Sequence, residues 1–197
     1  MNGDRRADAV LRDEAGRLWF MPGNGTGRLI GSGGWNAMSA LVRHGDFSGD
    51  GREDVIARER ATGKLWLYPG TGSGGLGARK LIGSGGWNAM NALVGAGDMT
   101  GDGRADLVAR EKATGKLWLY PGTSTRTLGA RKLIGTGGWN AMDHILGGGD
   151  TSGDGRPDLE ASDGFSLYQY QGLATGGVRK VDNYNGSWWA QEGATAF

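Results

Sequence analysis

The sequence predicts an all-β fold built from repeated four-stranded sheets, and three observations carry this prediction. A fixed interval of 52 residues separates the members of two sets, which are Trp35, Trp87 and Trp139, and Asp46, Asp98 and Asp150. Glycine is abundant, at 41 of 197 residues, yet tryptophan is plentiful at eight. No segment keeps a helical period, because glycine recurs too often for a helix to persist. A repeat of about fifty residues containing four short strands is typical of a β-propeller blade.

One unit shows the order of its elements clearly. Residues 92–95 form a first strand that leads into an acidic loop at 98–106. A second strand continues to residue 110, a turn follows at 112–115, and a third strand occupies 116–120 before Pro121-Gly122 ends it. After a variable Gly/Ser/Thr loop, residues 130–134 form the fourth strand, and 137–142 open the next unit. A single blade cannot bury both faces of its sheet, so neighbouring blades must stack around an axis.

Four such units make one predicted domain. The boundaries are 35–86 for blade 2, 87–138 for blade 3 and 139–189 for blade 4, while blade 1 combines residues 1–34 with the C-terminal strand 190–197. The chain begins within a repeat, so the C-terminal strand would complete the first blade. Three arrangements stay open: a closed four-bladed ring, half of a larger ring completed by a homodimer, and a piece of a longer propeller.

The acidic loops at 46–54, 98–106 and 150–158 share one pattern of oxygen-bearing residues. Aspartate, serine or threonine occupies positions one, three, five and nine, glycine occupies position six, and the carbonyl of position seven supplies a further oxygen. Carboxylates gathered without a cation would repel one another, so three equal copies favour a metal over ordinary hairpin turns. Calcium suits such flexible oxygen sites better than magnesium, which predicts about three Ca²⁺ ions per chain.

Two details qualify the metal prediction. An EF-hand would need a bidentate glutamate at position twelve, where this chain has Ala57, Ala109 and Ala161, so that motif is excluded. A fourth loop at the N-terminus lacks its first aspartate. This partial site, if formed, is expected to be weaker and to use Asn2, Asp4, Arg6 and Asp8.

The charge of the chain is unevenly divided. Twelve of the 21 acidic residues, eleven of them aspartates, lie in the three loops and the partial loop, which leaves the rest of the chain basic. A cation-filled protein would therefore be compatible with acidic partners, although the dispersed basic residues favour a mixed solvated surface. Cysteine is absent, so thiol chemistry and disulfides are excluded. No stretch predicts a membrane span or a signal peptide.

Two sets of tryptophans recur at fixed repeat positions. One set comprises Trp19, Trp66 and Trp118, and the other comprises Trp35, Trp87 and Trp139, with Trp188 or Trp189 in the fourth copy. One interpretation is packing between blades, because a large ring can fill the wedge between two sheets. The other is a sugar platform on the glycine-rich connections, whose ligand-binding residues would be Trp35, Asn36, Trp87, Asn88, Trp139 and Asn140.

The sequence does not indicate catalysis. His44 and His144 lie near no repeated serine or acid in a triad-like arrangement. Glu59 and Glu111 stand beside hairpin turns next to basic residues, which is typical of a solvated surface. Repeated loops that pin strand turns favour a structural role, so we expect a binding module rather than an enzyme, with no catalytic residues.

The units resemble the FG-GAP/VCBS repeats of integrin-like β-propellers, in the form common in secreted actinobacterial proteins. The three acidic loops, Leu-Trp-Leu-Tyr-Pro-Gly and Gly-Trp-Asn-Ala-Met carry the resemblance. It implies an extracellular protein in which calcium is held by Asp46, Ser48, Asp50, Arg52 and Asp54; by Asp98, Thr100, Asp102, Arg104 and Asp106; and by Asp150, Ser152, Asp154, Arg156 and Asp158. Each arginine in these sets would contribute its carbonyl.

Some related propellers are lectins, so the resemblance also implies glycan or cell-surface carbohydrate binding. The alternative is a protein-interaction scaffold or an accessory module of a secreted hydrolase or toxin. Nucleic-acid binding and membrane insertion are not expected.

Overall fold

The computed structural model describes residues 1–4, 6, 8–23, 25–43 and 45–185. Its regular elements are fifteen strands and three short 3-10 turns. Every sheet is antiparallel and its strands follow one another in chain order, as in propeller blades. The predicted fold class, an all-β protein of β-propeller type, is confirmed.

The strands fall into four sheets. The first contains β1 (Ala9–Arg12), β2 (Leu18–Met21) and β3 (Arg28–Gly31). The second contains β4 (Met38–Arg43), β5 (Val55–Glu59), β6 (Leu65–Tyr68) and β7 (Lys80–Gly83). The third contains β8 (Met90–Gly97), β9 (Asp106–Glu111), β10 (Leu117–Tyr120) and β11 (Lys132–Gly135). The fourth contains β12 (His144–Gly149), β13 (Asp158–Ser162), β14 (Ser166–Gly172) and β15 (Val178–Asn185).

The chain forms two compact units. The first holds residues 1–89 with 122–128, and therefore the first two sheets. The second holds residues 90–121 with those from 129 onwards, and therefore the third and fourth sheets. The strand predicted at 190–197 lies outside the described residues, so its pairing with the first sheet stays a prediction.

Alternating burial explains why the Leu-Trp-Leu-Tyr segments form strands. In β6 the side chains of Leu65 and Leu67 are fully buried, while Trp66 and Tyr68 are half-buried on the other face. Leu117 and Leu119 repeat this arrangement in β10. Burying one such leucine stabilises the fold by about 1.5–3 kcal/mol.

The second strand of a complete sheet is buried on both faces. In β9 all residues from Asp106 to Arg110 are buried, and Leu107, Val108 and Ala109 have no exposed surface. The first sheet differs, because among the described residues no strand pairs with the outer side of β1. Leu11 of that strand is consequently 54% exposed, whereas the corresponding Ala57 of β5 is fully buried.

Each unit has an apolar core of its own. In the second unit the core joins Val94, Met99, Leu119, Ile145 and Leu159 from both of its sheets. In the first unit the core contains Phe20 from the first sheet and Val55 from the second sheet. Within the described ranges, no helix is long and apolar enough to cross a membrane.

Candidate functional site

The first aspartate of each acidic loop organises the loop backbone. The Asp46 carboxylate accepts the main-chain N–H groups of Gly49, Asp50 and Gly51 at 2.7, 3.0 and 2.7 Å. Asp98 and Asp150 accept the corresponding three N–H groups of their own loops. Gly51 has φ near 81°, a left-handed conformation that glycine adopts without steric cost. The three loops therefore share one fold, as their common spacing predicted.

Side-chain oxygens converge at the centre of the first loop. The Ser48 Oγ atom lies 3.5 Å from Asp46 Oδ1 and 3.5 Å from Asp54 Oδ1. In the second loop Thr100 Oγ1 lies 3.4 Å from Asp98 Oδ1. Two oxygens bound to one calcium at about 2.4 Å and at right angles would be roughly 3.4 Å apart. These spacings fit a shared cation.

The last aspartate of each loop is buried. Asp54, Asp106 and Asp158 have no exposed surface. Asp54 accepts the N–H of Ser48 at 2.6 Å and that of Gly70 at 2.9 Å, so it ties the loop to the turn after β6. Asp158 forms the equivalent bonds with Ser152 and Gly172.

Burial and hydrogen bonding oppose each other at these carboxyl groups. Burial raises the pKa of Asp54 above its ordinary value, despite hydrogen bonds from Gly70 and Ser48 that favour the charged form. Burial acts in the same direction on Asp158. There, hydrogen bonds from Gly172, Thr151 and Ser152 outweigh burial and hold the pKa of Asp158 below its ordinary value.

An apolar residue at position two anchors each of the first two loops, and the sequence analysis did not single it out. Phe47 and Met99 are 6% and 2% exposed within otherwise polar loops. Met1 occupies the same position in the partial loop and is also buried, whereas Thr151 of the third loop is exposed. A large apolar residue between two polar ones was the sequence signal for this anchor.

The calcium prediction itself is not tested by these observations. Across the part of the chain that the structure describes, no three His, Cys, Asp or Glu side chains form a group that could hold a metal by themselves. The predicted ligand sets add hydroxyl and carbonyl oxygens to the aspartates. In the partial loop, Asn2 Nδ2 donates to Asp4 Oδ2 and the N–H of Asn2 donates to Asp8 Oδ2, at 3.1 and 3.2 Å.

The second tryptophan set lies on the 3-10 turns Trp35–Ala37, Trp87–Ala89 and Trp139–Ala141. Trp87 and Trp139 are each 7% exposed, and Trp35 is half-buried. Each indole packs on the glycine that ends the preceding strand. A Cβ added to Gly135 would lie 2.1 Å from Trp139 Nε1. These rings therefore act as wedges, and they do not offer a flat exposed face for stacking.

The asparagine that follows each of these tryptophans is tied to the main chain. Asn36, Asn88 and Asn140 donate through Nδ2 to the carbonyls of Glu14, Arg60 and Lys112, at 3.0, 2.9 and 2.9 Å. These carbonyls belong to the β1–β2, β5–β6 and β9–β10 hairpins. One amide N–H of each asparagine is thus already used, and the predicted role of these residues in ligand binding stays a prediction.

An arginine on β5, on β9 and at the matching position of β1 fastens each tryptophan turn. We call this contact the arginine clasp, which comprises Arg12, Arg58 and Arg110 with the turns at Trp35, Trp87 and Trp139. Arg12 Nη1 donates to the carbonyls of Trp35 and Met38 at 3.0 and 2.5 Å, so it joins the first two sheets. Burial lowers the pKa of Arg110, although a guanidinium remains charged.

One of the wedges lines an open cleft in the second unit. The cleft has a volume of about 260 Å³ and is formed by Gly137, Gly138, Trp139, Met142 and Tyr170. The ring centroids of Trp139 and Tyr170 are 4.5 Å apart with their planes tilted by 41°. Trp35 and Tyr68 form a matching pair in the first unit, at 4.8 Å and 45°. Tyr170, which the sequence analysis did not select, thus completes the aromatic wall.

The first tryptophan set lies beneath basic side chains. The Arg79 guanidinium carbon is 4.0 Å from the Trp66 ring centroid, and that of Arg131 is 3.9 Å from Trp118. In the fourth sheet Lys180 lies 4.0 Å above Tyr168. In each contact a cation lies over the ring face, so these aromatic rings do not offer a free stacking surface either.

The comparisons with known proteins agree with the fold. A solved structure, described as the specific recognition of non-reducing terminal N-acetylglucosamine by an Agrocybe aegerita lectin, matches with a TM-score of 0.57 and 20% sequence identity. The match covers 91% of this chain and 49% of that chain, so this chain spans about half the length of the lectin. No curated protein matches the chain. At this identity, the likeness shows the fold alone.

A family model identifies the repeats. The model described as FG-GAP-like repeat matches residues 46–109 and 98–159, which together cover more than half of the chain and all three acidic loops. Its matched regions contain the clustered aspartates and the buried second strands described above. The chain belongs to the FG-GAP-like repeat family.

Proposed function

We propose that the protein is a non-enzymatic, calcium-stabilised binding module that recognises a glycan. The observation that carries this proposal is the open cleft bordered by Trp139 and Tyr170. Its walls combine two aromatic rings with the main chain of Gly137 and Gly138. Sites of this kind present apolar surface together with a small number of polar groups, which suits the C–H and hydroxyl groups of a sugar.

Tyr170 is the lining residue of the cleft whose side chain carries a hydroxyl. This residue is half-buried, and burial raises the pKa of its hydroxyl. The hydroxyl therefore stays protonated at neutral pH and can donate to, or accept from, a sugar hydroxyl. Met142 adds a flexible apolar side chain to the same wall. We expect a neutral monosaccharide unit to bind with its ring against the aromatic edges.

Two further observations support this assignment. The Trp35–Tyr68 pair repeats the aromatic arrangement in the first unit, so a second site of similar chemistry is expected. The lectin of similar fold is described as recognising terminal N-acetylglucosamine, which makes a carbohydrate the first ligand class to test. Several weak sites on one chain would raise the affinity for a glycan that repeats its sugar.

Calcium is part of the same proposal. The oxygens of Asp46, Ser48 and Asp54 are spaced as neighbours in a calcium coordination sphere would be. A bound cation would offset the repulsion between these carboxylates and stabilise the folded loop. We also propose an extracellular location, where calcium concentrations would keep weak sites of this kind filled.

The proposal can be tested with a glycan array followed by calorimetric titration of the best ligand. The variant Tyr170→Phe removes the cleft hydroxyl, and Tyr168→Phe, on the same strand, is its matched control. Tyr168 donates to Asp163 instead of facing the cleft. We expect roughly tenfold weaker binding in Tyr170→Phe, equivalent to about 1.4 kcal/mol, and little change in the control. Equal affinities in both variants would place binding elsewhere, and a folded protein that binds no glycan would contradict the proposal.

A protein-interaction scaffold is the second candidate function. Phe165 lies at the tip of the β13–β14 hairpin and is 79% exposed, which favours contact with an apolar patch on a partner. The predicted homodimer is one such partner, and light scattering of the purified chain would reveal it. Loss of self-association or of a captured partner in Phe165→Ser, with sugar binding unchanged, would support the scaffold.

A further inference from the structure

Basic residues collect at one place in each sheet, although the sequence suggested that they were dispersed. They lie within two residues of the start of the outermost strand of every sheet, at Arg28, Arg79-Lys80, Arg131-Lys132 and Arg179-Lys180. Each of these strands is the last in its sheet and has only one neighbour among the described strands. We call these positions the basic strand edges.

The arginines of two of these edges are held by aromatic rings. Arg79 lies over Trp66 and Arg131 over Trp118, with guanidinium carbons 4.0 and 3.9 Å from the ring centroids. Both arginine side chains are otherwise exposed to solvent. A guanidinium that rests on a ring loses side-chain freedom before any ligand arrives, while its N–H donors remain available at its rim. It is thus prepared for bidentate contact with a planar oxyanion.

The positive charge of the edges is scarcely compensated. Lys80 Nζ donates to the carbonyl of Thr125 at 2.6 Å, and Arg28 and Lys132 donate to the carbonyls of Ser73 and Thr175. Arg179 donates to the amide oxygen of Gln171 at 2.6 Å. Within the described ranges, an acidic side chain pairs with just one edge residue, Arg131, at 3.9 Å from Glu111. Neutral acceptors leave the net charge of the other edges intact.

Apolar surface lies directly beside each charged pair. Leu81 is the cross-strand partner of Trp66, and Leu133 is the partner of Trp118. Both leucines are 39% exposed. Each edge therefore offers an anion-binding group next to one exposed apolar side chain. An acidic sugar is complementary to this arrangement, because it carries an anionic group next to the apolar C–H face of its ring.

We propose that the basic strand edges bind the carboxylate or sulfate groups of an acidic polysaccharide. In this interaction Arg79 and Arg131 hold the anion through paired N–H donors, Lys80 and Lys132 add positive charge, and the exposed leucines contact the sugar ring. The site is separate from the Trp139 cleft and does not depend on what that cleft binds.

A polysaccharide fits the edges better than a nucleic acid does. Proteins that bind single strands without sequence preference stack successive bases on aromatic faces. At the edges those faces are already covered, by Arg79 on Trp66 and by Arg131 on Trp118. Protection of the sheet edge against aggregation is the remaining explanation, because charged residues commonly serve that purpose. Edge protection alone would predict that none of these polymers binds.

The test measures binding by calorimetry to polygalacturonate, which carries carboxylates, to sulfated dextran and to neutral dextran. The double variant Arg79→Gln/Arg131→Gln removes the stacked guanidinium groups. Its matched control is Arg60→Gln/Lys112→Gln, which removes the same charge from exposed residues on two hairpins. Thermal unfolding of both variants checks that they remain folded.

We expect one or both anionic polymers to bind, the affinity to fall about tenfold or more in the edge variant, and less than about threefold in the control. Raising ionic strength from low values to about 0.15 M should weaken the interaction. The polymer that binds identifies carboxylate or sulfate as the preferred group. Tyr170→Phe should leave this binding unchanged, so failure of the cleft proposal would be seen separately.

Four results would overturn the inference. Equal losses in the edge variant and the control would show a response to net charge alone. Equal binding of neutral dextran would show that the protein does not recognise the anionic groups of the polymer. Absence of binding to both anionic polymers by the unmodified protein would leave edge protection as the role of these residues. A duplex or single-stranded DNA that binds more tightly than either polymer, and with the same dependence on Arg79 and Arg131, would reassign the edges to nucleic acid.

Discussion

The Nη1 atom of Arg110 lies 2.6 Å from the carbonyl oxygen of Trp139, and the same nitrogen also donates to the carbonyl of Met142. Arg110 belongs to the third sheet, whereas Met142 leads into the fourth, so one side chain fastens two sheets of the second unit. The repeated Gly-Trp-Asn-Ala-Met sequence is therefore a fastening element whose tryptophan, asparagine and methionine positions all contact the preceding sheet.

Removing the clasp should destabilise the second unit. We expect Arg110→Ala to lower the free energy of unfolding by about 2–4 kcal/mol, because Arg110 is 8% exposed and the carbonyls of Trp139 and Met142 would lose a charged donor. Arg110→Lys should recover part of the lost stability, since lysine keeps the positive charge but lacks the planar set of N–H donors of a guanidinium. Chemical denaturation measures both variants. Lys112→Ala, at an exposed position on the adjacent turn, serves as control, and an equal effect there would argue against the clasp.

The close packing of the tryptophan wedge gives a sharper prediction. A Cβ on Gly31 would lie 2.1 Å from Trp35 Nε1, while a Cβ on Gly33 would meet nothing within 4 Å. We expect Gly31→Ala to cost about 1–3 kcal/mol through displacement of the indole, and Gly33→Ala to stay within about 0.5 kcal/mol of the parent protein. Thermal unfolding distinguishes them. Equal melting temperatures would show that the wedge is loosely packed.

The indole N–H groups of the first tryptophan set predict a further contrast between repeats. Trp19 Nε1 donates to Asp13 Oδ2 at 2.9 Å, whereas the buried Nε1 atom of Trp66 has no hydrogen-bond partner among the residues that the structure describes. Trp19→Phe should therefore destabilise the protein more than Trp66→Phe, because it removes one of the hydrogen bonds to the Asp13 carboxylate, whereas Trp66→Phe removes none. Chemical denaturation of the two variants provides the comparison, and a larger loss in Trp66→Phe would contradict it.

The same contact sets a pH dependence. Hydrogen bonds from Trp19 and Arg17 lower the pKa of Asp13 from 3.8 to about 2. Since the pKa is lower in the folded state, Asp13 contributes stability above pH 3.8 and loses that contribution as the pH falls towards 2. In Trp19→Phe the pKa of Asp13 should rise towards its ordinary value. NMR titration of the Asp13 carboxyl carbon measures this shift, and an unchanged midpoint would exclude the Trp19 contact as its cause.

Calcium should raise the melting temperature if the acidic loops bind it. At a calcium concentration about one hundred times the Kd, each filled site adds about 2.7 kcal/mol to the free energy of unfolding. We expect Asp98→Asn to remove one such increment, because Asp98 holds three N–H groups and lies next to Thr100. Glu160→Gln, outside the loops, is the control. A melting temperature that is equal in calcium and in chelator would contradict the metal assignment.

The parts of the fold that the sequence predicted are those fixed by local pattern. The 52-residue interval and the alternation in Leu-Trp-Leu-Tyr were enough to predict four-stranded sheets, because strand geometry places alternate side chains on opposite faces. The geometry of the acidic loops could likewise be predicted from the spacing of aspartate and glycine, because these residues contact one another within a single loop. These features depend on neighbours along the chain.

The roles of the aromatic residues depend on contacts between sheets, which spacing alone does not reveal. Trp139 could be a platform or a wedge until Gly135, Arg110 and Tyr170 were placed around it. The glycine that ends each outer strand was a usable signal, since a residue without a side chain leaves room for a large ring. Likewise, the basic residues looked dispersed along the chain because the strand edges that gather them form only in three dimensions.

The most direct measurement of glycan binding is an NMR titration of protein labelled at the tyrosine rings, with Tyr170 assigned through Tyr170→Phe. Neutral monosaccharides from the best array ligands would be added to saturation, and the Tyr168 signal on the same strand provides the internal reference. Binding in the Trp139 cleft predicts a saturable shift of the Tyr170 ring resonances with Tyr168 unchanged. Tyr170 resonances that stay constant while calorimetry reports sugar binding, or that move equally with those of Tyr168, would contradict the assignment of the cleft as the glycan site.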